Sequence, residues 1–212
     1  MAKDDVYKTI VKPTEGTYSE KRSKFTSFAY PVESEEQVKE LLEEIRNKYY
    51  DARHVCYAYR IGHDQVQYRA NDDGEPSGTA GRPILGQIRS FELTNVLVAV
   101  VRYFGGIKLG TGGLIVAYKA AAAAALEQAE VVSCTVDETL SFRFEYPFMN
   151  DVMRIVKEMD AEVKEQTFYL DCQMTLSIRR SEMETLADRI RTVQSVQIEG
   201  EEEDAKEEVT NE

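Results

Sequence analysis

The sequence predicts an α+β chain of two domains, and three observations lead there. A chain of 212 residues with 42% hydrophobic composition can fill one large or two small cores. Its first two thirds mix strand-like stretches with amphipathic helical repeats. From Leu140 the pattern restarts in the order β-α-β-β-α-β, the ferredoxin-like arrangement. The domains are expected at residues 18–132 and 137–199, joined near Val131 to Asp137, with a lead-in at 1–17 and an acidic tail at 200–212.

After the polar lead-in, KFTSFAYPV (Lys24 to Val32) has the composition of a strand. Ser34-Glu-Glu-Gln37 forms a capping box ahead of Val38, Leu41, Leu42, Ile45 and Tyr49 at helical spacing, which predicts a helix from about Glu35 to Tyr49. HVCYAYRI (His54 to Ile61) alternates and is rich in β-formers; Gly62-His63-Asp64 reads as a turn, and QVQYR pairs back as a hairpin. Pro83 stands near the start of the apolar series Ile84, Leu85 and Ile88, as in a short helix that accepts proline only in its first turn. In LTNVLVAVVRYF (Leu93 to Phe104), the unbroken apolar run Val96 to Val101 predicts a central strand buried on both faces. GGIKLGTGG then leads into the helix LIVAYKAAAAAALEQAE, where Ala120 to Ala125 favour helix and close packing.

In the second unit Leu140, Phe142, Phe144 and Tyr146 alternate as a strand, and Phe148, Val152, Ile155, Val156 and Met159 follow helical spacing. EVKEQTFYL supplies a second strand and Cys172, Met174, Leu176 and Ile178 a third. Ser181-Glu-Met-Glu184 reads as a capping box before Leu186, Ile190 and Val193, and SVQIE closes the series.

The formal charge of −12 argues against binding nucleic acid through bulk electrostatics. That average hides a division. The last fourteen residues, Glu199 to Glu212, hold eight acids and one lysine and read as a disordered tail. Between Arg53 and Lys119 eight basic residues face five acids, a local +3. The cysteines Cys56, Cys134 and Cys172 are odd in number, far apart and outside any C-x-x-C spacing, which argues against a disulfide framework or zinc site and fits a reducing cytoplasm. The first residues contain no apolar signal core, and no apolar run approaches the length of a membrane span. A cytoplasmic protein with no cofactor and no membrane contact is the expectation.

Nine of the twelve glycines lie between Gly74 and Gly113, in two clusters. Glycine concentrates where φ is positive or where something approaches the backbone closely, since elsewhere it costs about 0.5–1 kcal/mol against alanine. In the second cluster, strand, GGIKLGTGG and helix follow one another, an order that aims backbone N–H groups and a positive helix end at an anion. Arg102 and Lys108 add charge. Turn-making with tight helix packing is the competing reading. The nucleotide fingerprints fail: Thr111 stands where a Walker loop has lysine, and the third glycine of a dinucleotide motif is missing.

In the first cluster, DDGEPSGTAGRPIL, Asp72, Asp73 and Glu75 suit either a cation or acid–base site or ordinary turn chemistry. His54 and Cys56 share one side of a strand, either as an activated thiol or as a buried cysteine beside a satisfied histidine. Aromatics interleave with cations in Tyr57-Ala-Tyr59-Arg60, Tyr68-Arg69 and Arg102-Tyr103-Phe104, as in single-stranded RNA binders, though tyrosine also packs in strands.

Three strings, Tyr57-Ala-Tyr59-Arg60-Ile-Gly62, Asp72 to Ile84 and Val101 to Gly113, closely resemble the Impact family in its bacterial YigZ branch. The resemblance implies an N-terminal β-α-β domain of the ribosomal-protein and elongation-factor type, with a ferredoxin-like domain appended. The eukaryotic relatives regulate translation; the resemblance transfers no enzymatic activity. The expectation is a non-enzymatic regulatory or binding protein linked to translation, whose partner is RNA or a ribosome-associated protein. Its binding set comprises Arg60, Asp72, Asp73, Glu75, Ser77, Thr79, Arg82, Arg102, Tyr103, Gly105, Gly106, Lys108, Gly110, Thr111, Gly112 and Lys119. The alternative is an enzyme acting on a small phosphorylated or acyl substrate, with Asp72, Asp73 or Glu75 as base and the second glycine cluster as phosphate cradle. A third is an adaptor docking through the C-terminal sheet or acidic tail.

Overall fold

A computed structural model describes residues 5–63, 66–168 and 171–199. Tyr7–Cys134 forms one compact unit; the described residues from Thr135 onward, with Asp5 and Val6, form another.

The first unit begins with β1 (Val6–Ile10), β2 (Thr14–Glu20), β3 (Ser23–Pro31) and α1 (Glu35–Lys48). It continues through β4 (His54–Ile61), β5 (Gln67–Asn71), α2 (Gly81–Ser90), β6 (Val96–Tyr103), α3 (Gly110–Leu126) and β7 (Val131–Thr135). Five strands make an antiparallel sheet in the order β2-β3-β6-β4-β5. β6 lies in the middle because both its faces are apolar. Val96, Val98 and Val100 join Ile84, Ile88, Ala117 and Ala121 in one core, while Leu97, Ala99 and Val101 join Val38, Leu42 and Ile45 of α1 in another. The residues 6–20 give no strand signal in sequence, yet they hold β2, one of the sheet's two edges, and β1, which pairs with β7.

The α1 cap has the expected donor and acceptor, with Ser34 accepting from the Gln37 N–H at 3.3 Å. The return bond differs, because Gln37 Oε1 accepts from the Glu33 N–H at 2.8 Å, one residue before the cap. The alanine run of α3 packs as its composition suggests: Ala121, Ala122 and Ala125 are fully buried. Their helix comes so near β2 that a side chain at Gly16 would collide with the main chain of Ala124 and Ala125.

The second unit comprises β8 (Asp137–Phe144), a 3-10 turn, α4 (Met149–Glu158), β9 (Glu162–Phe168), β10 (Cys172–Arg179), α5 (Arg180–Arg191) and β11 (Gln197–Ile198). The strands form an antiparallel sheet in the order β11-β8-β10-β9, which is the ferredoxin-like topology. Phe142, Phe144, Met174 and Leu176 share one core with Val152 and Ile155 of α4 and Leu186 and Ile190 of α5. β9 is an edge whose residues are exposed apart from half-buried Val163. One detail is corrected. Ser181 does not cap α5, which starts at Arg180 and has no side-chain cap bond. The β8–β10 register runs to Arg179 opposite Asp137 and the Arg180 N–H bonds Val136 O at 2.9 Å, so the chain enters the helix before reaching Ser181. The ends of two other predicted segments, at Asp64 and Gln65 and at Tyr169 and Leu170, lie outside the described residues, as does the tail from 200.

Candidate functional site

Sheet register decides where the site forms. Phe25, Arg102 and His54 stand opposite one another across β3, β6 and β4, so all three project from the same face at one end of the sheet. The next row inward holds Ser27, Val100 and Cys56, beneath Tyr118 of α3.

The first glycine-rich cluster folds over this end around Asp72. Its carboxylate accepts from the N–H groups of Gly78 at 2.8 Å, Ala80 at 2.9 Å and Gly81 at 2.8 Å, and so closes the loop and caps α2. Burial pushes the Asp72 carboxyl upward, but the three backbone donors and the Arg82 charge outweigh it and leave the pKa below the usual value. A depressed folded-state value contributes stability that is present above the ordinary carboxylate range and lost as pH falls through the folded value. Asp72→Asn is therefore expected to cost about 1–2 kcal/mol at neutral pH and to flatten the acid limb of a stability–pH curve below about pH 4. Chemical denaturation from pH 7 to pH 3 measures both effects; an unchanged acid limb would remove Asp72 as the loop's anchor.

Asp73 does different work. It sits at φ +42, its N–H bonds Asn71 Oδ1 at 2.8 Å, and its carboxylate takes the Val55 N–H at 2.7 Å and the Arg46 guanidinium at 3.1 Å. Glu75 points inward, where its Oε1 accepts from Arg102 Nη1 at 2.5 Å and from the Tyr118 hydroxyl at 2.8 Å. The three neighbouring acids thus serve three separate sets of partners. Among the described residues no His, Cys, Asp and Glu cluster could hold a metal ion.

This wiring consumes backbone donors of the first glycine cluster. In the first cluster the N–H groups of Asp73, Glu75, Gly78, Thr79, Ala80 and Gly81 are bonded within the protein. The second cluster differs. Gly105 lies so tightly on the Arg22–Ser23 main chain that no side chain fits, and its N–H bonds Ser23 Oγ at 3.2 Å. Gly106 and Gly110 take φ of +86 and +71, and α3 begins at Gly110 with no side chain capping its first turn.

Where the two clusters meet, a cleft of about 380 Å³ opens. It is lined by the cations Arg53, Arg102 and Lys108, by His54, Glu75 and the first residues of α3, Gly110 and Thr111, and by the apolar Pro76, Phe104, Leu109 and Leu114. Arg102 and Glu75 belong to the buried interior, with side-chain exposures of 7% and 4%. The Arg102 guanidinium lies between the rings of Phe25 and Phe104, 5.6 and 5.7 Å from their centroids. His54 Nδ1 donates to the Asp73 carbonyl at 2.7 Å, which leaves Nε2 as the ring's second polar atom.

Of the sequence-predicted residues, Glu75, Arg102, Lys108, Gly110 and Thr111 line the cleft. Gly105, Gly106 and Gly112 do not line it. Asp72, Asp73 and Thr79 are scaffold, Thr79 donating to Pro76 O at 2.7 Å. Ser77 and Arg82 are exposed outside it. Tyr103 follows Arg102 on β6 and faces the opposite side, where its hydroxyl donates to Asp51 at 2.6 Å. Arg60, at the far end of β4, holds the Leu93 carbonyl at 2.8 Å, and Lys119 lies on the outer surface of α3. The activated-thiol reading of Cys56 fails, because burial pushes that thiol up to about 12 and its Sγ bonds Asp72 O and the Tyr118 hydroxyl rather than His54.

Residues 21–126 match the Impact N-terminal domain. The Bacillus subtilis IMPACT family member YvyE is 34% identical over 75% of this chain and 73% of its own length. The chain belongs to the Impact family. Another relative, the Escherichia coli member YigZ, is also 34% identical, over 68% of this chain and 71% of its own. A crystal structure described as that of a hypothetical protein superposes with a TM-score of 0.69 at 27% identity, covering 92% of this chain and 96% of that one. The family match spans every element that lines the cleft. Arg53, His54, Pro76, Phe104, Leu109 and Leu114 complete the lining and stand outside the sequence-predicted binding set, yet the strand pairing of His54 with Arg102 could have joined those two in advance.

Proposed function

We propose that this Impact family protein is a non-enzymatic binding protein of translational control that takes phosphate groups of RNA into the cleft at the end of its N-terminal sheet. One observation supports the reading above the rest: Arg53, Lys108 and the uncapped first turn of α3 converge on one cleft, while the acid that lines it, Glu75, is already neutralised by Arg102. Family membership supports the link to translation, through the regulators that the motifs resemble.

Exposed cations on phosphate make affinity fall steeply with salt. The Arg53→Ala, Lys108→Ala double variant should bind RNA or ribosomes more weakly, with a log K against log salt slope reduced by up to about 2. Co-sedimentation across a salt series checks this. An unchanged slope would remove phosphate contact, and binding that survives nuclease digestion would move the partner to a ribosome-associated protein.

A second reading, an enzyme on a small phosphorylated or acyl substrate, draws on the concavity of the cleft and on His54 at its wall. Its sequence-predicted bases are occupied, Asp72 by backbone donors, Asp73 by Val55 and Arg46, and Glu75 by Arg102. Hydrolysis of phosphate or acyl esters that disappears in His54→Ala would favour it over binding alone.

A further inference from the structure

Resting on the RNA-binding reading and narrowing it, we infer that the cleft recognises a terminal nucleotide, a 5′-phosphomonoester whose base lies against Phe104, rather than a phosphodiester passing through. The cleft has two chemically distinct parts. Arg53, Lys108 and the α3 N-terminus supply positive charge, and Pro76, Phe104, Leu109 and Leu114 supply apolar surface. A ligand that satisfies both bears concentrated negative charge together with a flat apolar body. At about 380 Å³ the space falls in the range of small-molecule sites, about 300–1,000 Å³.

Phe104 is 56% exposed although it stands in a cleft wall. The Arg102 guanidinium 5.7 Å from its ring centroid accounts for part of its contact, and the exposed remainder is a stacking surface for a base. Arg102 adds an independent sign of a missing acceptor. The residue is 6% exposed and lines the cleft, its Nη1 is bonded to Glu75, and its Nε–H has no hydrogen-bond partner. Buried guanidinium donors are ordinarily satisfied. A phosphomonoester gives three terminal oxygens, enough to engage the helix N–H groups, Lys108 and the guanidinium together; a diester has only two and carries its chain onward on both sides.

The experiment compares short RNA bearing a 5′-phosphate, the same RNA with a 5′-hydroxyl, and free nucleoside 5′-monophosphates, by calorimetry or fluorescence anisotropy. The expected result is at least about tenfold tighter binding of the 5′-phosphorylated RNA, lost in Lys108→Ala and weakened about tenfold in Phe104→Ala. Both residues are exposed, so an unchanged melting curve shows that the variants fold. Free monophosphates that bind as tightly as the RNA end identify the nucleotide itself as ligand. Equal binding of phosphorylated and hydroxyl RNA overturns this inference while leaving RNA binding standing. No binding by either RNA overturns both.

Discussion

Glu75→Ala and Arg102→Ala should each destabilise the N-terminal unit by about 3–5 kcal/mol, because each strands one charge of a pair almost wholly withdrawn from water. The pair is 2.5 Å apart, and Glu75 also anchors the buried Tyr118 hydroxyl. Replacing both with leucine should recover most of the loss, since an apolar pair leaves no uncompensated charge behind. Urea titrations of the two single variants and the double variant measure this coupling. Single losses below about 1 kcal/mol would mean that the pair behaves like an exposed one. The double variant should still lose ligand binding, which separates the pair's part in folding from its place in the cleft wall.

Gly16→Ala is the second large effect. The added carbon would enter the main chain of Ala124 and Ala125, so trimming neighbouring side chains cannot relieve it. The cost should be about 3 kcal/mol, at the upper end of overpacking penalties, and should appear as a fall of roughly 10 °C in the melting temperature of this unit. Gly112→Ala is the matched control. Its new carbon meets open space within helix α3, so it should stabilise by about 0.5–1 kcal/mol. Calorimetry of the two variants tests the pair of signs. A mild Gly16→Ala would mean that β2 can shift away from α3.

The same glycine explains part of what the sequence concealed. TEGTYSE is polar, and an internal glycine ordinarily weakens a strand, so β2 gives no local signal. Its place comes from a long-range fit to a helix more than a hundred residues later, seen also in the Thr14 hydroxyl donating to Ala125 O at 2.8 Å. β6 was legible because burial on both faces leaves a continuous apolar run, and β8 and β10 because half-buried strands alternate. α3 begins four residues before its first apolar position. GTGG looks like loop from propensity, but the burial of Leu114, Ala117 and Tyr118 outweighs the glycine penalty.

The site was legible in composition and misread in geometry. Reading Arg102-Tyr103 as neighbours in one surface ignores the alternation that sends Tyr103 to the α1 face. Of the two readings of Asp72, Asp73 and Glu75, turn chemistry describes them, because their side chains point apart, toward the α2 cap, the start of β4 and the buried arginine. Lys119 lies nine residues into a helix whose rise is about 1.5 Å per residue, beyond reach of the α3 start.

Two of the outermost strands, β9 and β2, bear on how the protein behaves at high concentration. An unpaired strand margin is a template on which foreign chains can accrete. On β9 that margin bears Glu162, Lys164 and Glu165, and on β2 it bears Glu15 and Glu20. An incoming strand would have to strip water from these charges to add itself, which sets a barrier to fibrous growth along either margin.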